Sequence, residues 1–215
     1  MLLLAGSILF YAQGYRFNWK SMKLVRTGIV DIVSYPKSAQ VYIDNKLRDD
    51  TTPFAENLLP GVYDIEVKKD GYVNWSTAFR VEAEKVTSFD NIVLFKKDPN
   101  LEILTDSRKI DLLNSPVDYL AGSNQSITFS DYEIWIGGRL LTRFSSPISH
   151  VALYPDRAHV LYQQDDEIRI MDVEGQNDVL LVKLNQASPI SFTTSSKGDE
   201  LYYLDSGKYY VAYIR

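Results

Sequence analysis

Residues 28–95 read GIVDIVSYPKSAQVYIDNKLRDDTTPFAENLLPGVYDIEVKKDGYVNWSTAFRVEAEKVTSFDNIVLF. Short runs of alternating apolar and polar residues fill this stretch, and residues typical of turns separate them. In one such run Tyr63, Ile65 and Val67 alternate with charged side chains, which predicts a strand with one buried and one exposed face. The stretch therefore predicts roughly five to seven short strands, a pattern typical of a small β-sandwich.

Turn residues mark where these strands end. Residues 44–45 (Asp-Asn) predict a two-residue hairpin turn, because both side chains tolerate positive φ. Residues 60–61 (Pro-Gly) predict a type II turn, which requires positive φ at Gly61, and residues 70–71 (Asp-Gly) predict another turn. Residues 36–38 and 47–53 are interpreted as exposed loops, and they are the predicted contact surface of this region.

The apolar positions of the strands define a predicted core. A domain of this length buries only about 60% of its unfolded surface, so each core side chain matters individually. The predicted core residues are Ile32, Val41, Ile43, Ile65, Val67 and Trp75.

Several segments of the same stretch carry a family resemblance. In order they are Pro36-Lys37-Ser38-Ala39, Val41-Tyr42-Ile43-Asp44, Thr52-Pro53, Pro60-Gly61 and Gly71-Tyr72. The stretch resembles the PEGA domain family, whose namesake tetrapeptide aligns with the first segment and shares Pro36 and Ala39 with it. The resemblance covers about a third of the chain. It implies a small, non-catalytic β-sandwich, usually extracytoplasmic, of bacterial surface or membrane-attached proteins.

Residues 1–19 are predicted to be a membrane anchor with a short apolar helix. No charged residue occurs from Leu2 to Tyr15, and the aromatic and basic residues that follow are typical of a membrane–water interface. A helix of this length reaches about 22 Å, less than the ~30 Å of a hydrocarbon core. We therefore expect an anchor whose beginning is missing; a short complete anchor, an uncleaved signal and a buried helix of a soluble protein are the alternatives.

Residues 101–215 contain a weak internal repeat. The stretch 149–162 resembles the stretch 190–203, and the equivalent residues Asp156 and Lys197 are 41 positions apart. A period near 40 residues with about four strands per unit is the signature of β-propeller blades. The units resemble WD40-like or TolB-like blades, and a third, shorter copy is predicted over residues 117–136.

The predicted number of blades is about three, whereas closed propellers use roughly four to eight. Three blades would leave exposed sheet edges. We therefore expect the propeller-like region to be incomplete and the chain to be a fragment; edges that meet a partner, or an open sandwich, are the alternatives. The predicted fold is all-β, with an anchor at 1–19, a PEGA-like β-sandwich at 28–95 and propeller-like repeats at 101–215.

Composition excludes several classes of protein. The chain has 215 residues, a net charge of −5 and no cysteine. Without a basic excess we expect no nucleic-acid partner, since nucleic-acid binding depends on Lys and Arg at phosphates. The absence of cysteine excludes a disulfide framework and a thiolate metal site.

No catalytic, cofactor-binding or metal-binding residue is predicted. His150 and His159 are interpreted as surface or edge histidines, because a metal site needs more ligands at fixed geometry. Residues 165–167 lack the ligand spacing of an EF-hand loop and are interpreted as a solvated hairpin tip. A second acidic group is interpreted as a polar loop, and it consists of Asp44, Asp49 and Asp50. The aromatic candidates are interpreted as core or cross-strand packing, and they are Tyr72, Trp75, Phe79 and Trp135.

The predicted function is that of a non-catalytic, membrane-tethered protein of the bacterial cell envelope. The PEGA module is expected to act as a spacer or binding scaffold, and the blades are expected to contact a protein or a glycan. No cofactor is expected. The alternatives are a fragment of an envelope hydrolase whose catalytic part is missing and a cytosolic signalling accessory domain.

Overall fold

A computed structural model of the chain describes residues 11–12, 14–19, 22–114 and 126–215. These residues form β-strands and the α-helix α1 (Ser107–Asn114), and Tyr11 and Ala12 are also helical. The chain divides into two compact units. The N-terminal unit comprises Met1–Asp70 and Asn74–Leu94, and the C-terminal unit comprises Gly71–Val73 and Phe95–Arg215.

The N-terminal unit contains the first nine strands. They are β1 (Tyr15–Asn18), β2 (Lys23–Arg26), β3 (Gly28–Tyr35), β4 (Gln40–Ile43), β5 (Lys46–Thr51), β6 (Phe54–Leu58), β7 (Gly61–Lys68), β8 (Trp75–Val81) and β9 (Val86–Val93). Strands β1 and β2 form a hairpin, and the other seven form two sheets of order β6-β3-β9 and β5-β4-β7-β8. Strand β3 is antiparallel to β6 and parallel to β9.

The two sheets pack against each other around one core. The ring of Phe89 on β9 meets the rings of Trp75 and Phe79 on β8, with centroids 5.6 and 5.4 Å apart. All six predicted core residues are at most 9% exposed, which confirms the inward face read from the alternating pattern. This part of the chain is therefore a small β-sandwich of seven strands in the described residues.

The turns of the sandwich match the sequence at some places and differ at others. Asp44 and Asn45 have φ of 50° and 60°, as the predicted hairpin turn requires. Gly61 lacks the positive φ of a type II turn, so that prediction is wrong. It opens β7 instead, because it continues the ladder with β8 through its pairing to Val81.

The prediction of a loop at residues 47–53 is also wrong. Most of this stretch is strand β5 (Lys46–Thr51), which pairs with β4. The two-residue turn at 44–45 reverses the chain, so that β5 runs antiparallel to β4. Pairing with β4 then satisfies backbone N–H and C=O groups of this charged segment that would otherwise bond to water.

The N-terminal segment agrees with the predicted helix at Tyr11 and Ala12, which are helical, and differs from it at residues 15–18. Residues 1–10 and 13 of the predicted anchor lie outside the described residues. Tyr15–Asn18 form strand β1, paired with β2 by a register that sets Phe17 opposite Leu24. Aromatic residues favour strands, and the positive φ of Met22 lets the chain reverse. No helix among the described residues has the length and apolar character needed to cross a membrane.

The C-terminal unit contains α1 and the remaining strands. They are β10 (Asn100–Ile103), β11 (Ile127–Ser130), β12 (Glu133–Ile136), β13 (Arg139–Arg143), β14 (Ile148–Leu153), β15 (His159–Gln164), β16 (Glu167–Asp172), β17 (Val179–Lys183), β18 (Phe192–Thr194), β19 (Glu200–Asp205) and β20 (Lys208–Tyr213). They form three sheets of order β11-β12-β13, β14-β15-β16-β17 and β10-β20-β19-β18. The last sheet takes its fourth strand, β10, from the other end of the unit.

The 41-residue spacing recurs in the backbone hydrogen bonds of the two four-stranded sheets. The N–H of Tyr154 donates to the carbonyl of His159, and 41 residues later the N–H of Ser195 donates to that of Glu200, both at 2.9 Å. In the same way Arg157 donates to Tyr154 and Gly198 donates to Ser195, both at 2.9 Å. Val173 donates to Ala158 and Ile214 donates to Asp199, both at 3.0 Å. The hairpin turns at 165–166 and 206–207 keep the same spacing. The strands β14–β16 and β18–β20 thus share this hydrogen-bond pattern, while part of the third predicted copy, residues 117–125, falls outside the described residues.

Candidate functional site

The predicted contact surface lies at one end of the sandwich and along one sheet edge. Strand β5 is the terminal strand of its sheet, and no described strand pairs with its outer side. Its Leu47 is 53% exposed, and Lys46, Asp49 and Asp50 are exposed beside it. A sheet edge offers backbone donors and acceptors to an incoming strand, and charges on the edge restrict which strand can pair. Strand β5 therefore combines an outer side without a described partner strand and exposed charged side chains.

A buried hydroxyl fixes the two proline-containing segments beside this edge. Thr52 is 2% exposed, and its Oγ1 lies 2.6 Å from the Oγ of Ser34 and accepts a bond of 3.0 Å from the N–H of Ala39. The N–H of Ser38 donates to the carbonyl of Thr52 at 2.8 Å. Residues 36–38 are thus held against the end of β5. Thr52 belongs to one of the segments that carry the family resemblance, but no local sequence pattern predicts this role.

An open cavity of about 370 Å³, lined by both polar and apolar residues, lies at the other end of the sandwich, where the β1–β2 hairpin joins it. Arg26 and Glu84 form an ion pair of 2.5 Å there, and the Oγ1 of Thr27 donates to the carbonyl of Gly14 at 2.9 Å. The cavity has room for a small polar molecule. Its lining residues are Ala12, Gly14, Arg26, Thr27, Ile29, Asn57, Glu84, Lys85 and Val86.

His159 is a buried ionisable group of the C-terminal unit with a strongly raised pKa. It is buried rather than at the surface, so the prediction of a surface or edge residue is wrong for this histidine. Its Nδ1 lies 2.7 Å from Asp156 Oδ2, and its Nε2 lies 3.1 Å from Asp172 Oδ1. Burial opposes its charge, but the bonds with the two carboxylates outweigh burial and raise the pKa of His159 to about 9.

The geometry around His159 indicates a structural role. His159 opens β15 and stands opposite Asp172 in the register with β16, while Asp156 comes from the preceding turn. The ring also lies edge-on to Phe95 and Tyr154, with centroids 5.6 and 5.8 Å apart. The ion pairs neutralise a charge that would otherwise be buried alone.

The second histidine also has an internal partner. The Nε2 of His150 lies 3.2 Å from the carbonyl oxygen of Phe192. Burial lowers the pKa of His150 below its usual value, and the bond to Phe192 offsets this only in part. Both histidines are therefore used inside the fold.

The acidic and aromatic candidates also occupy structural positions. Asp165 and Asp166 form the turn between β15 and β16, as predicted, and Lys183 lies 3.4 Å from Asp166. Within the described ranges no three His, Asp or Glu residues are grouped so as to hold a metal ion. Trp75 and Phe79 are buried in the sandwich core, which confirms the packing interpretation for these two residues.

Comparison with known proteins identifies one segment of the chain. Residues 27–94 match the family model of the PEGA domain, in agreement with the resemblance seen over residues 28–95. No curated protein matches the chain.

Two solved structures align with the chain at low similarity. A chain of the nidogen/laminin complex is 12% identical, with a TM-score of 0.35, and the alignment covers 78% of this chain and 70% of that one. A Bacteroides fragilis protein of unknown function, proposed to be membrane-associated, is 14% identical with a TM-score of 0.29, and the alignment covers 87% and 95%. Scores this low carry no argument about function.

Proposed function

We propose that the chain is a non-catalytic protein of the bacterial cell envelope, tethered to the membrane through its N-terminal segment. Its PEGA module serves as a spacer or binding scaffold, and residues 101–215 act as propeller-like blades that contact a protein or a glycan. The observation that carries this proposal is the match of residues 27–94 to the PEGA domain.

The sandwich supports a binding role through its edge. Strand β5 presents exposed backbone along its outer side together with Leu47. Residues 36–38 are fixed beside it by the buried Thr52. A strand edge held in one conformation loses little entropy when it pairs, which favours recognition of an extended peptide or loop.

The repeated hydrogen bonds support the interpretation of residues 101–215 as blades. The four-stranded sheet β14-β15-β16-β17 is a simple meander, the arrangement of a propeller blade. The second four-stranded sheet repeats its hairpin and turn after 41 residues. Loops at equivalent ends of such sheets present a set of contacts to one partner.

A non-catalytic role is supported by how the ionisable side chains are used. His159 is held between Asp156 and Asp172, and His150 contacts the carbonyl of Phe192. General acid–base catalysis needs a group that can reach a substrate proton. These two histidines are instead engaged inside the C-terminal unit.

Site-specific crosslinking tests the proposed binding edge. The chain contains no cysteine, so a benzophenone maleimide placed on Leu47→Cys reports only on that position. Its matched control is Asn91→Cys, an exposed position on β9 of the other sheet. With isolated bacterial envelopes we expect adducts from position 47 and few from position 91. Equal adducts from both positions, or none from either, would contradict the assignment of β5.

A further inference from the structure

The β1–β2 hairpin exposes four large apolar side chains. Trp19 is 79% exposed and Met22 is 68% exposed, and both lie in the turn between the strands. Phe17 and Leu24, the next pair along the strands, are 39% and 48% exposed. Isolated apolar residues at a surface need no explanation, but a contiguous group of four marks a contact site.

These four residues form one apolar face at the tip. Phe17 stands directly opposite Leu24, so both side chains project from the same face of the hairpin. The ring of Trp19 meets that of Phe17 edge-on, with centroids 4.7 Å apart. Met22 lies in the same turn. The hairpin therefore ends in a compact aromatic and aliphatic tip.

The same segment carries a concentrated positive charge. Residues 1–30 contain four of the 23 Lys and Arg residues and none of the 28 Asp and Glu residues, although the whole chain is acidic. Arg16 and Lys23 fall on the opposite face of the hairpin from Phe17, because successive side chains alternate in a strand. An apolar tip beside a basic face complements a layer that has an apolar interior and an anionic surface.

The hairpin is fixed to the sandwich rather than trailing from it. The N–H of Thr27 donates to the carbonyl of Gly14 at 2.9 Å, which closes the base of the hairpin. Arg26 forms an ion pair of 2.5 Å with Glu84, which precedes β9. The ion pair therefore links the base of the hairpin to the sandwich.

We infer that the tip of the β1–β2 hairpin is a contact site for an anionic lipid surface. Phe17, Trp19 and Met22 enter the interfacial layer, and the basic residues beside them lie among the headgroups. Tryptophan favours this layer because its ring is apolar and its N–H is polar, and basic residues are attracted by anionic headgroups. The inference rests on the proposed function, since the tether must bring the hairpin to a membrane.

Attraction to the headgroups sets the expected size of the effect. Each basic residue near an anionic membrane strengthens binding about fivefold. Changing Lys23 to Glu removes one attraction and adds one repulsion, so association of the tip is expected to fall about 30-fold. Trp19→Ser removes the largest apolar contact and is expected to weaken association with neutral and with anionic lipid alike.

A fluorescent label on the full-length chain tests the inference. An environment-sensitive fluorophore is attached to Met22→Cys at the tip or, as control, to Lys37→Cys. Strand β3 separates the two ends of the sandwich by about 23 Å at ~3.3 Å per residue. Each labelled chain is mixed with vesicles of phosphatidylcholine alone or of phosphatidylcholine with phosphatidylglycerol, and sedimentation measures binding in parallel.

We expect the fluorescence of the tip label to rise several-fold with phosphatidylglycerol vesicles and that of the control label to stay constant. Lys23→Glu should abolish the difference between the two lipids. If the chain sediments with vesicles while the tip label stays in water, the tether stands and the hairpin inference is overturned. If the chain does not sediment at all, both fail. An equal response to phosphatidylcholine alone, or a response only to lipid-free envelope protein, also overturns it.

Discussion

Replacing His159 with glutamine removes the buried positive charge of the C-terminal unit while keeping a polar side chain of similar length. In the folded protein this charge lies 2.7 Å from Asp156 and 3.1 Å from Asp172. Its side chain is 4% exposed, so water screens the pairs very little. The substitution leaves two neighbouring carboxylates facing a neutral group.

The raised pKa gives the size and the sign of the effect. The pKa of His159 rises from 6.5 to about 9 on folding, and each unit corresponds to about 1.4 kcal/mol. The ion pairs of His159 therefore stabilise the C-terminal unit by about 3 kcal/mol below pH 6.5, where both the folded and the unfolded states are protonated. Above pH 6.5 the unfolded chain loses this proton first, so the stabilisation decreases and is gone once the pH passes about 9.

Urea unfolding between pH 6.5 and 9.5 measures this change. Trp19→Phe and Trp75→Phe leave Trp135 as the only tryptophan, so its fluorescence follows the C-terminal unit. In this background the free energy of unfolding should fall by about 3 kcal/mol across the range. The range stops at pH 9.5 because tyrosine, whose ordinary pKa is about 10, ionises increasingly above it and would add a second effect.

The His159→Gln variant should be less stable by about 3 kcal/mol at pH 6.5 and should show little pH dependence. His150→Gln is the matched control and should keep the full decrease, because burial lowers the pKa of His150 instead of raising it. A constant stability of the unsubstituted protein from pH 6.5 to 9.5, or an unchanged decrease in His159→Gln, would refute the reasoning.

Two further substitutions test the cores of the two units. Val67→Asp should unfold the sandwich, because it buries an unpaired carboxylate at a fully buried position, whereas Val62→Asp on the exposed face of β7 should change stability by less than about 0.5 kcal/mol. A Val67→Asp protein that melted like the parent in near-UV circular dichroism would count against the assigned core. Gly198→Ala should be more destabilising than Gly207→Ala by about 1–3 kcal/mol in urea unfolding. Both glycines have positive φ, so the backbone strain is similar, but an added Cβ meets the Tyr154 ring only at Gly198. Equal losses in the two variants would contradict that contact.

The sequence was sufficient where structure depends on neighbouring residues. The alternation in β7 correctly predicted that Ile65 and Val67 are buried, and Asp44-Asn45 correctly predicted a hairpin turn with positive φ. In both cases a few adjacent residues determine the conformation, through side-chain alternation or through tolerance of the left-handed region. The resemblance to the PEGA domain was likewise visible in short segments kept in order, and the family match over residues 27–94 agrees with it.

The sequence was insufficient where a distant partner decides the structure. The charged run 46–51 looks like a loop, and it becomes strand β5 because it pairs with β4. Strand β10 has four exposed residues and pairs with β20 near the other end of the chain, so no local pattern marks it. His159 resembles a surface residue until β16 brings Asp172 to its ring.

The N-terminal segment shows a third kind of limit. Its apolar start and the aromatic and basic residues that follow predict a short helix that ends at a membrane. The described residues Tyr15–Asn18 instead form a strand of the β1–β2 hairpin. The same amino-acid composition is compatible with a helix and with a strand. Only the spacing of the apolar side chains over a few residues distinguishes the two.

Labelling of intact spheroplasts tests the central proposal, a membrane-tethered protein outside the cytoplasm. The cysteine-free chain is given one exposed cysteine, Leu47→Cys, and the spheroplasts are treated with a membrane-impermeant maleimide before fractionation. We predict that the protein sediments with the membranes and is labelled before lysis. Recovery in the soluble cytosol, with labelling only after lysis, would contradict the proposal.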